Sequence, residues 1–138
     1  MPNQSSEPLP PNTYLFHLVP TTRFPTAGVY SPTESHLVYS ERAFSGVIAA
    51  LDAYPGRRFT IGSNLALFQK WYEGQTQAVR ARVKKLVDNG SLEFVDGGWV
   101  NADQACPSWE EILANIVAGH RFLSEAFGVK PKHAWAPS

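Results

Sequence analysis

Short apolar runs alternate along this chain with longer segments that have helical periodicity, and this alternation limits the fold more than any other feature. The apolar runs lie at residues 14–19, 59–62, 92–95 and 133–136. Between them, apolar residues recur at helical spacing over residues 41–54, 64–72, 76–89 and 109–127. Strands that alternate with helices in this way are typical of parallel βα units. We therefore predict an α/β fold.

Several residues mark where the predicted elements begin, end and face. The first run stops at Pro20, which predicts a strand over residues 14–19 buried on both faces and a loop over residues 20–33. Ser108 and Glu111 have the spacing of a capping box, and Gly128 ends the helix that follows. The predicted core face of that helix includes Trp109, Ile112, Leu113, Ile116, Val117, Leu123 and Phe127.

Charge and composition exclude several partners. Twelve Lys and Arg residues balance twelve Asp and Glu residues, so the chain lacks the positive field that binds nucleic acid or an anionic membrane. We interpret the basic residues at 80–85 as a solvated helix face. No apolar run approaches the roughly 20 residues of a membrane span. The single Cys106 excludes an internal disulfide, and we expect its side chain to be a small buried or half-buried hydrophobe.

The first thirteen residues differ from the rest of the chain. They are rich in Pro, Ser and Asn and hold no hydrophobic cluster, so we predict a disordered segment at 1–13 and a folded domain at 14–138. The segment lacks the basic and apolar parts of a signal peptide, and the compartment stays open. Because right-handed crossovers bring the carboxyl ends of parallel strands to one edge, we expect any site at residues 20–28, 63–64, 97–103 and 137–138.

The sequence resembles the N-terminal catalytic domain of glycoside hydrolase family 38, the α-mannosidases. The strongest matches are the LEFVDGGWV of residues 92–100 and the DQA of residues 103–105. Further matches lie at residues 119–123 and 127–131, and weaker ones at residues 68–72 and 17–20. The resemblance runs from about Tyr14 to Ser138. It implies the first four strands of a seven-stranded β/α barrel.

The same resemblance implies retaining hydrolysis of α-mannosides, with a zinc ion that holds sugar hydroxyls and a carboxylate nucleophile beside it. This chain departs from the family at those positions. Two zinc-ligand positions fall on Arg23 and Pro25, and a register shifted by one from Gly28 gives no ligand either. The nucleophile position falls on Ser138. Arginine has no lone pair for a metal, so we predict no metal cofactor and no catalytic residue in this chain.

The remaining candidate residues have a structural and a functional interpretation each. Trp99 either packs under the barrel rim or stacks on a sugar, and Asp103 either makes a local loop hydrogen bond or contacts ligand. We expect His17 to pack in the core or at an edge, and His120 to make a hydrogen bond. Two further histidines, His36 and His133, have no spacing typical of a metal pair.

Three hypotheses follow. The chain is a truncated or degenerate part of an α-mannosidase that is inactive alone, and we favour this one. It is alternatively a non-catalytic module that binds a mannose-containing glycan or another partner. The third hypothesis is an interaction protein without a ligand, whose unpaired strand edges favour self-association.

Overall fold

The computed structural model describes residues 10–22, 31–62, 64–103 and 105–134, apart from the side chains of residues 32 and 35–37. Three strands are present in this part of the chain: β1 (Thr21–Thr22), β2 (Phe59–Ile61) and β3 (Leu92–Phe94). The helices are α1 (Pro32–Ser35), α2 (Glu41–Ala53), α3 (Leu65–Glu73), α4 (Gln77–Asp88) and α5 (Trp109–Phe127), with a π-helical segment, His36–Ser40, before α2.

The strands form one parallel sheet in the order β1-β2-β3, which confirms the predicted parallel α/β class. Thr22 pairs with Ile61, and Ile61 pairs with Phe94, so the three strands end side by side. The predicted fourth strand begins at His133. Residues 133 and 134 have no strand geometry, although the Asp96 N–H donates to the His133 carbonyl at 2.8 Å, and residues 135–136 lie outside the described part.

An aromatic cluster between the sheet and the helices forms the core. Phe68 of α3 is fully buried at its centre. Its ring centroid lies 5.2 Å from that of Phe44 in an edge-to-face arrangement, 5.5 Å from that of Trp71 and 5.3 Å from that of Phe94. Such pairs add to the stability that area burial supplies, by about 0.5–1.5 kcal/mol each. Elements α2, α3 and β3 are thus joined through one residue.

The helix ends follow the predicted signals. The Ser108 hydroxyl accepts from the Glu111 N–H at 3.3 Å, and the Glu111 carboxylate accepts from the Ser108 N–H at 2.7 Å, which confirms the capping box of α5. Gly128 ends this helix with a left-handed φ of 69°. Within the described residues, no helix is both long enough and apolar enough to cross a membrane.

The predicted first strand is wrong. Residues 14–19 are outside regular secondary structure and exposed, with Phe16 at 90% and Leu18 at 94%. The strand forms instead at Thr21–Thr22, within the predicted loop, because the Thr60 N–H donates to the Pro20 carbonyl and sets the register. An apolar run is buried on both faces only where a layer covers each face, and nothing described covers residues 14–19.

Three other burial predictions need correction. Trp109, Leu113 and Val117 of α5 are exposed at 70%, 51% and 48%, because only the face through Gly119, Phe122, Leu123 and Phe127 meets the core. Cys106 is exposed, since it lies in the turn before α5. His17 is also exposed, because it belongs to the uncovered segment 14–19.

Candidate functional site at the carboxyl edge of the sheet

The loops that leave β2 and β3 meet at the carboxyl edge of the sheet. Parallel pairing requires this, since Ile61 and Phe94 are partners and each is the last residue of its strand. In parallel α/β proteins, ligands bind at this edge. The candidate site therefore consists of the described residues that follow β2, from residue 62 onward, and those that follow β3, from residue 95 onward.

A tight turn at Asp96 and Gly97 ends β3. Both residues have left-handed backbones, with φ of 59° and 78°, a conformation that Asp tolerates better than most residues. A Cβ added to Gly97 would lie 2.8 Å from both His120 Cδ2 and Pro131 Cγ, so the turn packs directly on those two residues. The His120 Nε2 atom lies 2.9 Å from the Asp96 carbonyl oxygen, in agreement with the hydrogen bond predicted for His120.

Asn115 of α5 holds the loop that follows the turn. Its side-chain oxygen accepts from the Val100 N–H at 2.8 Å, and its amide nitrogen donates to the Val100 carbonyl at 3.0 Å. The Trp99 N–H donates to the Asn115 backbone carbonyl at 3.1 Å. One side chain thus satisfies both backbone groups of Val100, as a neighbouring strand would.

Asn64 holds the same loop from the β2 side. It is buried, has a left-handed φ of 78°, and its side-chain oxygen accepts from the Asn101 N–H at 2.9 Å. The Gly98 carbonyl accepts from the N–H groups of Asn64 and Leu65, and the Trp99 carbonyl accepts from the Ala66 N–H at 3.0 Å. These carbonyls satisfy donors that would otherwise be unpaired at the start of α3.

The structure places the two predicted site residues in different surroundings. Trp99 is half-buried and packs against the aromatic core, which agrees with its structural interpretation. Asp103 is exposed, and its carboxylate accepts from the Ala105 N–H at 3.0 Å, the local hydrogen bond that we expected as one alternative. The positions of Arg23, Pro25 and Ser138 lie outside the described residues.

A cavity of about 470 Å³ opens beside this loop. Its polar lining comes from Asn101, Asp103, Glu111 and Asn115, and Trp99 is not among its lining residues. A cavity of about 380 Å³ lies at the opposite end of the strands around Arg58, and one of about 270 Å³ runs along β3 from Leu92 to Phe94 and His133. We place the candidate site in the first cavity, because the loops after β2 and β3 form its walls or hold them in place.

Side chains that could bind a metal ion lie apart in the described part of the chain. No group of three or more His, Cys, Asp and Glu side chains comes together among them. His133 and Glu93 form one pair of such side chains, with Nδ1 and Oε1 3.4 Å apart on the exposed side of β3. Zinc sites in proteins take three or four such ligands, and the positions at which the resemblance places two of them, residues 23 and 25, lie outside the described part of the chain. The side chain of His36 is not described.

The sequence did not predict that the side chains of Asn64 and Asn115 hold the loop after β3 by hydrogen bonds to its backbone. An isolated asparagine carries no spacing pattern, and its role emerges only when the fold brings a distant backbone to it. The fold and the loop geometry define a parallel α/β protein whose candidate site lies where the strands end.

Comparison with known proteins identifies the family. The profile of the glycosyl hydrolases family 38 N-terminal domain matches residues 26–138, and the chain therefore belongs to this family. It is 39% identical over 100 residues to a lysosomal alpha-mannosidase of Dictyostelium discoideum, an alignment that covers 67% of this chain and 10% of the relative.

Two further relatives agree. An alpha-mannosidase of Canavalia ensiformis is 36% identical over 95 residues, with 69% of this chain and 10% of the relative covered. A lysosomal alpha-mannosidase of Bos taurus is 43% identical over 91 residues, with 64% and 9% covered. The chain thus spans about a tenth of the length of the relatives that it matches.

Proposed function

We propose that this chain supplies the first βα units of an α-mannosidase-type domain and that it does not hydrolyse α-mannosides by itself. In this proposal the three observed strands, with a fourth at residue 133, are the first four of a seven-stranded β/α barrel. The hydrogen bond between the Asp96 N–H and the His133 carbonyl supports that assignment, because it joins the free side of β3 to the next segment. The family match and the names of the relatives support the substrate class.

One observation on the sequence supports the proposed lack of α-mannoside hydrolysis. Residues 20–33, where the family resemblance places two zinc ligands, contain no His, Asp, Glu or Cys. Arg23 presents a cation that repels a metal ion, and Pro25 has no side-chain donor. Without these two donors, we expect this chain not to hold the ion that would orient the hydroxyls of a mannoside.

The nucleophile is also missing. Retaining glycosidases use two carboxyl groups about 5–5.5 Å apart, one as nucleophile and one as acid and base. The nucleophile position falls on Ser138, whose hydroxyl is a weaker nucleophile than a carboxylate unless a base activates it. The two carboxylates that line the candidate cavity both accept local backbone N–H groups, Asp103 from Ala105 and Glu111 from Ser108.

Turnover of a chromogenic α-mannoside tests this proposal. The purified chain is assayed with and without added zinc, and the lysosomal alpha-mannosidase of Bos taurus serves as the active control. We expect no hydrolysis above buffer from a folded, monodisperse sample. Hydrolysis that elutes together with the chain and persists through a second purification would contradict the proposal.

A second candidate function is non-catalytic binding of a mannose-containing glycan. The polar cavity beside the loop favours it, because Asn101, Asp103 and Asn115 offer the amide and carboxylate groups that hydrogen-bond sugar hydroxyls. NMR titration with methyl α-mannoside tests it, and methyl α-galactoside serves as the control sugar. Saturable chemical-shift changes at residues 100–103 would support binding if they are lost in the Asp103→Ala variant. They should persist in the Glu125→Ala variant, whose substitution is at an exposed position outside the cavity. Identical spectra with and without the mannoside would exclude this second function.

A further inference from the structure

We infer that the exposed side of α5 is a self-association surface that pairs antiparallel with α5 of a second copy of this chain. We define the α5 face as Trp109, Glu110, Leu113, Val117 and Arg121. The inference does not depend on the proposed function.

The apolar part of the α5 face is continuous. Trp109, Leu113 and Val117 are each four residues apart, so they lie along one side of the helix, and all three are about half exposed or more. An exposed apolar stripe with a tryptophan at one end is typical of a binding surface, because tryptophan is among the residues that contribute most to interface affinity. Its three side chains are all large and apolar, as in a buried contact.

The charged residues of the α5 face favour a second copy of the chain as its binding partner. Glu110 lies in the first turn and Arg121 three turns later, about 16 Å along the axis and on the same side of the helix. Both side chains are exposed, and neither has an ion-pair partner among the described residues. An acidic start and a basic end make this face complementary to itself.

Two-fold symmetry fixes the register of the pair. In an isologous antiparallel arrangement, residue i of one helix lies opposite residue j of the other and the reverse also holds. Placing Glu110 near Arg121 of the second copy brings Leu113 opposite Val117 of that copy, and it also places Trp109 beside the same guanidinium. Apolar contacts, an ion pair and a cation–π contact then form twice in one interface.

The size of the α5 face sets the expected strength. One helix pair buries less than the roughly 1,000 Å² of a stable interface, so we expect a weak dimer that depends on concentration and salt. Residues 14–19 are also apolar and exposed, but they include no Asp, Glu, Lys or Arg, so no charge pattern there favours a particular partner.

Sedimentation equilibrium of the full chain from low to high concentration tests the inference. The variants are Glu110→Arg, Arg121→Glu and the combination of both, with Glu125→Arg as the matched charge change outside the α5 face. We expect each single variant to weaken dimerisation about tenfold and the combination to return within about threefold of the original, because the swapped charges still pair. The control should leave the dissociation constant unchanged.

Several outcomes would overturn the inference. One is that the chain stays monomeric at every concentration, which would show that the α5 face does not bind a second copy. The others are dimerisation that ignores both charge reversals, and a double variant that associates no better than the single ones. Far-ultraviolet circular dichroism of each variant shows whether the fold is retained. Because these substitutions are on exposed positions, we expect unchanged spectra.

Discussion

Gly119 of α5 packs directly onto the backbone of Gly97. A Cβ added to Gly119 would lie 3.0 Å from the Gly97 carbonyl carbon, closer still to the carbonyl oxygen, and 3.1 Å from Leu65 Cδ1. The helix can approach the turn after β3 only because both positions lack a side chain. This contact brings Asn115, one turn earlier on α5, within reach of Val100.

Gly119→Ala should destabilise the protein. The new methyl group meets backbone rather than a flexible side chain, so α5 or the turn must move, and overpacking of this kind costs about 1–3 kcal/mol. Urea denaturation measures the free energy of unfolding. Gly46→Ala in α2 is the control, because nothing lies within 4 Å of its added Cβ; it should stabilise by about 0.5–1 kcal/mol. Equal effects of the two substitutions would contradict the packing described here.

Asn115→Ala should loosen the loop at the candidate site. It removes both side-chain hydrogen bonds to Val100 and leaves a half-buried N–H and carbonyl without those partners, at a cost of about 1–3 kcal/mol. Hydrogen exchange of the Val100 amide measures the local effect and urea denaturation the global one. Ser124→Ala, an exposed change on the same helix, should alter neither. If the Val100 amide is equally protected from exchange in Asn115→Ala, the two hydrogen bonds from Asn115 are not important for the stability of the loop.

The start of α1 should respond to pH through Glu34. The Ser31 N–H donates to the Glu34 carboxylate at 2.8 Å. This bond holds the pKa of Glu34 below its usual value, and a hydrogen bond from the Ser31 side chain to the same carboxylate is the second cause. A lowered pKa stabilises the folded form above the ordinary pKa of the group, and the contribution is lost as the pH falls through the lowered value. NMR titration of the Glu34 carboxyl should show this.

The variant Ser31→Ala refines the Glu34 prediction. It removes the hydroxyl but keeps the backbone N–H, so the pKa of Glu34 should rise and yet stay below its usual value. A Glu34 that titrates at its ordinary pH in the unchanged protein would exclude the capping contact.

The helices could be predicted from the sequence because their signals are local. Apolar spacing and the caps at Ser108 and Gly128 act within a few residues, and α2, α3, α4 and α5 lie within one or two residues of the predictions. Helix α1 was not predicted, and it begins within the predicted loop over residues 20–33. The first strand could not be predicted, because the burial of residues 14–19 depends on which distant element covers them. The exposure of Leu113 and Val117 has the same cause.

The candidate site was predicted in part. The glycines before Trp99 correctly predicted a turn at the carboxyl edge of the sheet, because glycines next to a strand typically mark a tight bend or a close approach of another backbone. The roles of Asn64 and Asn115 depend on contacts across more than ten residues of sequence, which no local pattern encodes. Asp103 was identified, but the sequence left open whether its carboxylate faces a ligand or its own loop.

Zinc content tests the central claim, that this family member lacks the family's metal site. The folded chain is dialysed against buffer with trace zinc, and its metal is measured by elemental analysis, with the lysosomal alpha-mannosidase of Bos taurus as the reference. We expect far less than one zinc ion per chain, since residues 20–33 supply no ligand. About one zinc ion per chain, retained after dialysis, would contradict the account and show that residues assigned structural roles here bind the metal.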